Sequence, residues 1–87
     1  MPHSPTTFGA QSSVGPLSDA PIGSPLTVAA TSAPGLTRRL AELGIRPGVT
    51  VTVIQHTSGG GRVIDTGSAR YAIDHRTLTR IEVHHHD

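Results

Sequence analysis

Between Leu26 and Val83 the apolar positions recur with short periods, and the period switches several times along the chain. Leu26, Val28 and Ala30 alternate with Thr27 and Ala29, which predicts a short strand over residues 25–30. Thr31-Ser32-Ala33-Pro34-Gly35 follows, with a hydroxyl suited to a helix N-cap and a proline suited to a first turn. Leu36, Leu40 and Leu43 then fall at i, i+4 and i+7, one face of an amphipathic helix, while Thr37, Arg38, Arg39 and Glu42 point away from it. Gly44 is placed to stop the helix in the left-handed conformation, and Ile45 supplies the apolar contact that accompanies such a stop. Arg46-Pro47-Gly48 makes a turn.

The clearest strand runs from Val49 to His56, with Val49, Val51 and Val53 on one side and Thr50 and Thr52 on the other. Ser58-Gly59-Gly60-Gly61 reads as a flexible hairpin connection. Arg62–Thr66 is a third strand with Val63 or Ile64 inward, Gly67-Ser68 a tight turn, and Ala69–Ile73 a fourth strand. Asp74 caps one helical turn through Leu78, and Ile81-Glu82-Val83 is a fifth strand. The predicted core is Leu36, Leu40, Leu43, Val49, Val51, Val53, Ile73, Ile81 and Val83. Five short strands, one short α-helix after the first and a helical turn before the last predict a mainly-β fold, a small, partly open barrel. The helical turn ahead of the final strand is typical of SH3-like barrels.

Residues 1–25 break this regularity. They hold five of the seven prolines, a single charged side chain (Asp19), and unperiodic apolar residues in Phe8, Val14, Leu17 and Ile22. Such a segment does not bury enough surface to offset its ordering entropy, so a disordered N-terminal tail is expected. It has neither the basic n-region nor the apolar stretch of a secretory signal, and no arginine precedes Arg38, so a cytoplasmic location is expected.

Composition narrows the classes further. A chain of 87 residues supports one small domain. With no cysteine there is no disulfide framework and no thiolate metal site. A net charge of +1 sets up no field for nucleic acid or anionic lipid. Phe8 and Tyr71 alone make no stacking platform for single strands, and no apolar run is long enough to span a bilayer. No nucleic-acid partner and no membrane insertion are expected.

Two groups of side chains carry candidate chemistry. His84, His85, His86 and Asp87 are ligand types for Fe²⁺ or another transition metal, but they sit at a free end, read as a His-rich tail over residues 84–87. His56 and His75 read as ordinary surface or structural histidines. Arg38, Arg39 and Arg46 place three of the seven arginines within nine residues, and guanidinium forks suit carboxylate partners, so they are candidates for partner binding. Gly59-Gly60-Gly61-Arg62 lacks phosphate-loop spacing. No nucleophile elbow, His-Glu-x-x-His or paired-carboxylate pattern appears. Asp65 reads as solvent-facing and Asp74 as a cap, so no catalytic residue is assigned.

Leu40-x-x-Leu43-Gly44-Ile45-x-Pro47-Gly48, the Val/Thr strand, Tyr71-Ala72-Ile73-Asp74 and Ile81-Glu82-Val83 together resemble the FeoA family (ferrous iron transport protein A) over residues 25–83. Arg38–Gly48 is the most specific part. The resemblance implies a small cytoplasmic SH3-like barrel over residues 26–83, without catalytic residues or a required cofactor. It also implies that the chain binds and modulates FeoB, a membrane ferrous-iron transporter with a G-protein-like domain. The sequence departs from the family in its short Gly-rich hairpin, its N-terminal tail and its histidines. The C-terminal domain of iron-dependent repressors shares the fold and part of the pattern, but follows a winged helix for which this sequence shows no room. Two alternatives stand beside the transporter reading: a soluble transition-metal-binding or metal-sensing protein, and a stand-alone relative of that repressor domain.

Overall fold

In the computed structural model, which describes residues 14–32 and 34–85, every alternating run forms a strand. The strands are β1 (Val14–Pro16), β2 (Pro25–Thr31), β3 (Thr50–His56), β4 (Arg62–Asp65), β5 (Arg70–Ile73) and β6 (Ile81–His85). The helices are α1 (Pro34–Glu42) and α2 (His75–Leu78). The strands form one sheet in the order β1-β6-β2-β3-β4-β5, with antiparallel neighbours throughout. The register slips between Val28 and Ala30 against β6, and between Val53 and Gln55 against β4. Such bulges bend a strand and raise its twist, which lets so short a sheet curl around its apolar face.

That face is continuous. Leu26, Val28, Val51, Val53, Ile64, Ile81 and Val83 are buried on the strands. Leu40 from α1 and Leu78 from α2 join them. Leu36, Leu43, Val49 and Tyr71 pack half-buried against this core. The end of α1 follows its sequence: Ile45 N–H donates to Leu40 C=O (2.9 Å) and Gly44 N–H to Ala41 C=O (3.0 Å). This six-to-one and five-to-two pair needs a left-handed residue, and Gly44 has φ +90°. Ile45 is then fully buried, so the stop of the helix and the closing of the core are one event.

Two expectations are corrected. Among the described residues the sheet has six strands, because part of the predicted tail is folded: Val14, Gly15 and Pro16 pair with His84, Val83 and Glu82 of β6. A 3-10 turn, Leu17–Asp19, follows and buries Leu17 completely. Gly23 N–H then donates to Val53 C=O at 2.8 Å. Arg62 of β4 reaches over this segment and donates to the carbonyls of Leu17 (3.2 Å) and Ala20. Residues 14–24 thus form a strap held by backbone hydrogen bonds and by the buried Leu17 and Ala20, too few apolar anchors to mark it with a side-chain period. The predicted tail before Val14 lies outside the described residues. The second correction is at the other end. β6 continues through His85, since Thr27 and Leu26 of β2 and Val14 of β1 pair with His84 and His85.

Candidate functional site

The arginines singled out from the sequence lie on or just after α1. Arg38 and Arg39 are exposed on the helix, and Arg46 is exposed in the turn that follows the Gly44 stop. Among the described residues the ion pair present is Arg70 with Asp65 (3.5 Å), across β5 and β4. The three candidate arginines therefore have no carboxylate partner there, and Arg38 does not engage Glu42 one helical turn away.

Arg39 also borders a groove of about 530 Å³ between α1 and β5. Leu36, Leu40, Leu43 and Ile73 form its apolar floor, while Arg39, Glu42 and Asp74 stand at its rim with Ala72 along one wall. Arg38 and Arg46 do not line it. The leucine stripe of α1 thus does two things. Leu40 enters the core, and the half-buried Leu36 and Leu43 leave apolar surface facing the groove.

Asp74 is fixed where β5 turns into α2. Its Oδ1 accepts from Thr77 Oγ1 (2.6 Å) and its Oδ2 from Thr77 N–H (3.3 Å), so it caps α2 as its sequence position predicts. The hydrogen bond from the Thr77 hydroxyl, with help from backbone N–H groups, holds its carboxyl below the usual carboxylate value. The groove rim therefore keeps this negative charge into acidic conditions.

A smaller crevice of about 300 Å³ lies on the other side of Ala72, bordered by Thr57, Gly61, Asp74 and His75. Its shape depends on Gly61, where a Cβ would stand 2.5 Å from Thr57 Oγ1 and 3.0 Å from the Ile73 carbonyl oxygen. The loop read as a flexible connection is thus closely packed at its last glycine.

The candidate metal ligands are not gathered. His84 and His85 are successive residues of β6, so their side chains leave opposite faces of the sheet. No group of three His, Cys, Asp or Glu among the described residues is placed to hold a metal ion. His86 and Asp87 lie outside the described residues. His56 ends β3 and His75 opens α2, both exposed. No helix among the described residues is long and apolar enough to cross a membrane.

Sequence reasoning located the arginines but not the groove. The pattern showed α1's apolar face and β5 as separate features, and only the tertiary placement of one beside the other makes a cleft.

A curled antiparallel sheet with one short helix laid against it, and an open apolar groove with charged rims, defines a small SH3-like domain built to present surface. The chain belongs to the FeoA domain family, which matches over residues 15–85 and is associated with ferrous iron transport. The match includes the strap. A solved iron uptake regulatory protein (FeoA) is 27% identical, with 85% of this chain and 99% of that one covered and a TM-score of 0.76. The Stenotrophomonas maltophilia FeoA complexed with zinc, described as a procaryotic SH3 domain protein, is 26% identical, with 78% of this chain and 87% of that one covered and a TM-score of 0.66. A manganese-dependent transcriptional repressor shares the fold at 21% identity and a TM-score of 0.75, over 84% of this chain and 42% of that one. No curated protein matches the sequence.

Proposed function

We propose that this chain is a non-catalytic accessory module that docks on the cytoplasmic side of an FeoB-type ferrous-iron transporter and modulates it. The observation that carries the reading is the α1 side of the domain. Three exposed arginines without carboxylate partners among the described residues stand on and beside a helix whose inner edge opens an apolar groove. Unpaired guanidinium groups next to apolar surface suit a protein partner with acidic side chains around an apolar contact. The family's association with ferrous iron transport supplies the class of partner.

The test is recovery of the transporter from native membranes on immobilised full-length chain. The sequence contains no lysine, so amine coupling fixes it through its N-terminus and leaves the arginines free. Recovery of an FeoB-type transporter is the expected result, reduced at least tenfold by the double substitution Arg38→Glu, Arg39→Glu. Equal recovery by that folded variant removes the arginines from the interface. No recovery by the wild-type chain removes the transporter reading.

A further inference from the structure

The outer edge of β5 has unused hydrogen-bonding capacity, and the register shows where. The turn at Gly67-Ser68 closes with Thr66 N–H donating to Ala69 C=O at 3.0 Å. In an antiparallel pair, bonded and non-bonded residue pairs alternate. Counting on from that turn, Ile64–Tyr71 and Arg62–Ile73 are bonded pairs, whereas Asp65–Arg70 and Val63–Ala72 are not. The backbone N–H and C=O of Arg70 and Ala72 therefore point away from β4, and among the described residues no strand stands beyond β5. Ala72 is exposed, carries only a methyl group, and forms one wall of the groove beside α1.

Among the described residues the opposite edge offers less. β1 is three residues long and ends in Pro16, which has no N–H to offer. The β5 edge has no proline and no bulge, and faces an apolar floor. An extended backbone laid along it would gain hydrogen bonds from Ala72, and every second side chain would point to one face.

We propose that the groove between α1 and β5 takes an extended peptide segment of a partner protein as a seventh strand on Ala72. Alternate apolar side chains of the segment rest on Leu36, Leu40 and Leu43, and a neighbouring basic side chain faces Glu42 and Asp74. Charge sets the last feature: the rim carries two carboxylates and one guanidinium, and Asp74 stays ionised. The geometry favours a single segment over a second copy of this chain. α1 stands on the far side of the groove, and a second copy pairing through its own β5 would carry its β4 one further strand spacing of about 4.8 Å outward, towards α1. This inference rests on the reading that the α1 side faces a partner, and names how that partner is gripped.

The experiment is selection of a displayed library of random ten-residue peptides on the immobilised full-length chain. Enrichment of peptides with alternating apolar residues and an adjacent Lys or Arg is expected. Ala72→Pro removes the outward N–H that borders the groove and costs no ladder bond, so binding should fall at least tenfold while thermal melting is retained. Glu42→Arg, on the exposed side of α1, should shift the selected peptides from basic to acidic neighbours. Amide exchange at Ala72 should slow when a selected peptide is added. Absence of enrichment, enrichment without alternation, or equal binding by Ala72→Pro overturns the proposal. If Ala72→Pro does not fold, the Glu42→Arg selection and Ala72 exchange decide it, and an unchanged result in both overturns it. A chain that selects such peptides but recovers no transporter keeps the strand site and loses the transporter reading. Transporter recovery with failed selection does the reverse.

Discussion

Two segments lie against the curled sheet, and they differ in where their backbone bonds go. α1 is held by side chains: Leu40 is buried in the core, Leu36 and Leu43 pack half-buried against it, and its backbone bonds are satisfied within the helix and its Gly44 stop. The strap of residues 14–24 is held by backbone: β1 pairs with β6, Gly23 bonds to Val53, and Arg62 binds two of its carbonyls. Only Leu17 and Ala20 bring apolar side chains into the core from this stretch. A segment fixed by side chains writes a period into its sequence. A segment fixed by backbone bonds writes almost nothing, because any residue with a free N–H and C=O can make them.

The sharpest way to break the contrast is to empty each segment's anchor. Leu40→Ala should cost about 2–5 kcal/mol, as buried leucine truncations do. Leu17→Ala should cost a comparable amount although it lies in a stretch that reads as a tail; chemical denaturation of both variants measures this. If Leu17→Ala melts with the wild type, the strap is not part of the fold. Next in size, Gly44→Ala forces a side chain into a left-handed position and should cost about 1–2 kcal/mol. Arg62→Ala removes two hydrogen bonds from a half-buried guanidinium and should cost about 1–2 kcal/mol. Its distinguishing mark is local: amide exchange at Gly23 should speed up while exchange within α1 stays unchanged. A uniform rise across the protein would mean that Arg62 supports the whole barrel rather than the strap.

The smallest effect is one of pH. The Asp74 carboxyl has its pKa lowered in the folded chain, chiefly by the Thr77 hydroxyl. The unfolded chain therefore binds that proton more readily, and stability contributed by Asp74 is complete above the ordinary carboxylate value of about 4. It is lost as pH falls through the folded value. Asp74→Asn should flatten this part of the stability profile in acid and leave the profile above pH 5 parallel to the wild type. Denaturant titrations across the acid range check it.

Against this background the legibility of the sequence divides cleanly. Strands β2 to β6, α1, the Gly44 stop and the Asp74 cap are readable because each depends on a residue type at a fixed spacing. Ile64 is half-readable: alternation leaves Val63 or Ile64 as the inward residue, and the pairing of Ile64 with the buried Val53 makes it Ile64. β1 was not readable, since Val14-Gly15-Pro16 has low strand propensity and is extended only because β6 continues through His85 beside it. The same pairing drew His84 and His85 out of the predicted tail and into the sheet. Of the candidate site, the arginines were visible as a cluster. The groove was not, because it depends on α1 lying across from Ala72, which no local pattern encodes.

The position of β6 has a consequence for how the chain comes into being. Among the described residues β6, the last in sequence, lies between β1 and β2. During synthesis the strap and β2 emerge early, yet neither can complete its hydrogen bonding until residues 81–85 have left the ribosome. Hairpins β3–β4 and β4–β5 are available to form on the way out, but final closure must wait and then joins segments separated by most of the sequence. Such distant pairing slows folding. Assembly thus waits for β6, and a nascent chain stopped before Ile81 would carry an open sheet, with β2 unpaired on one side and the strap unanchored.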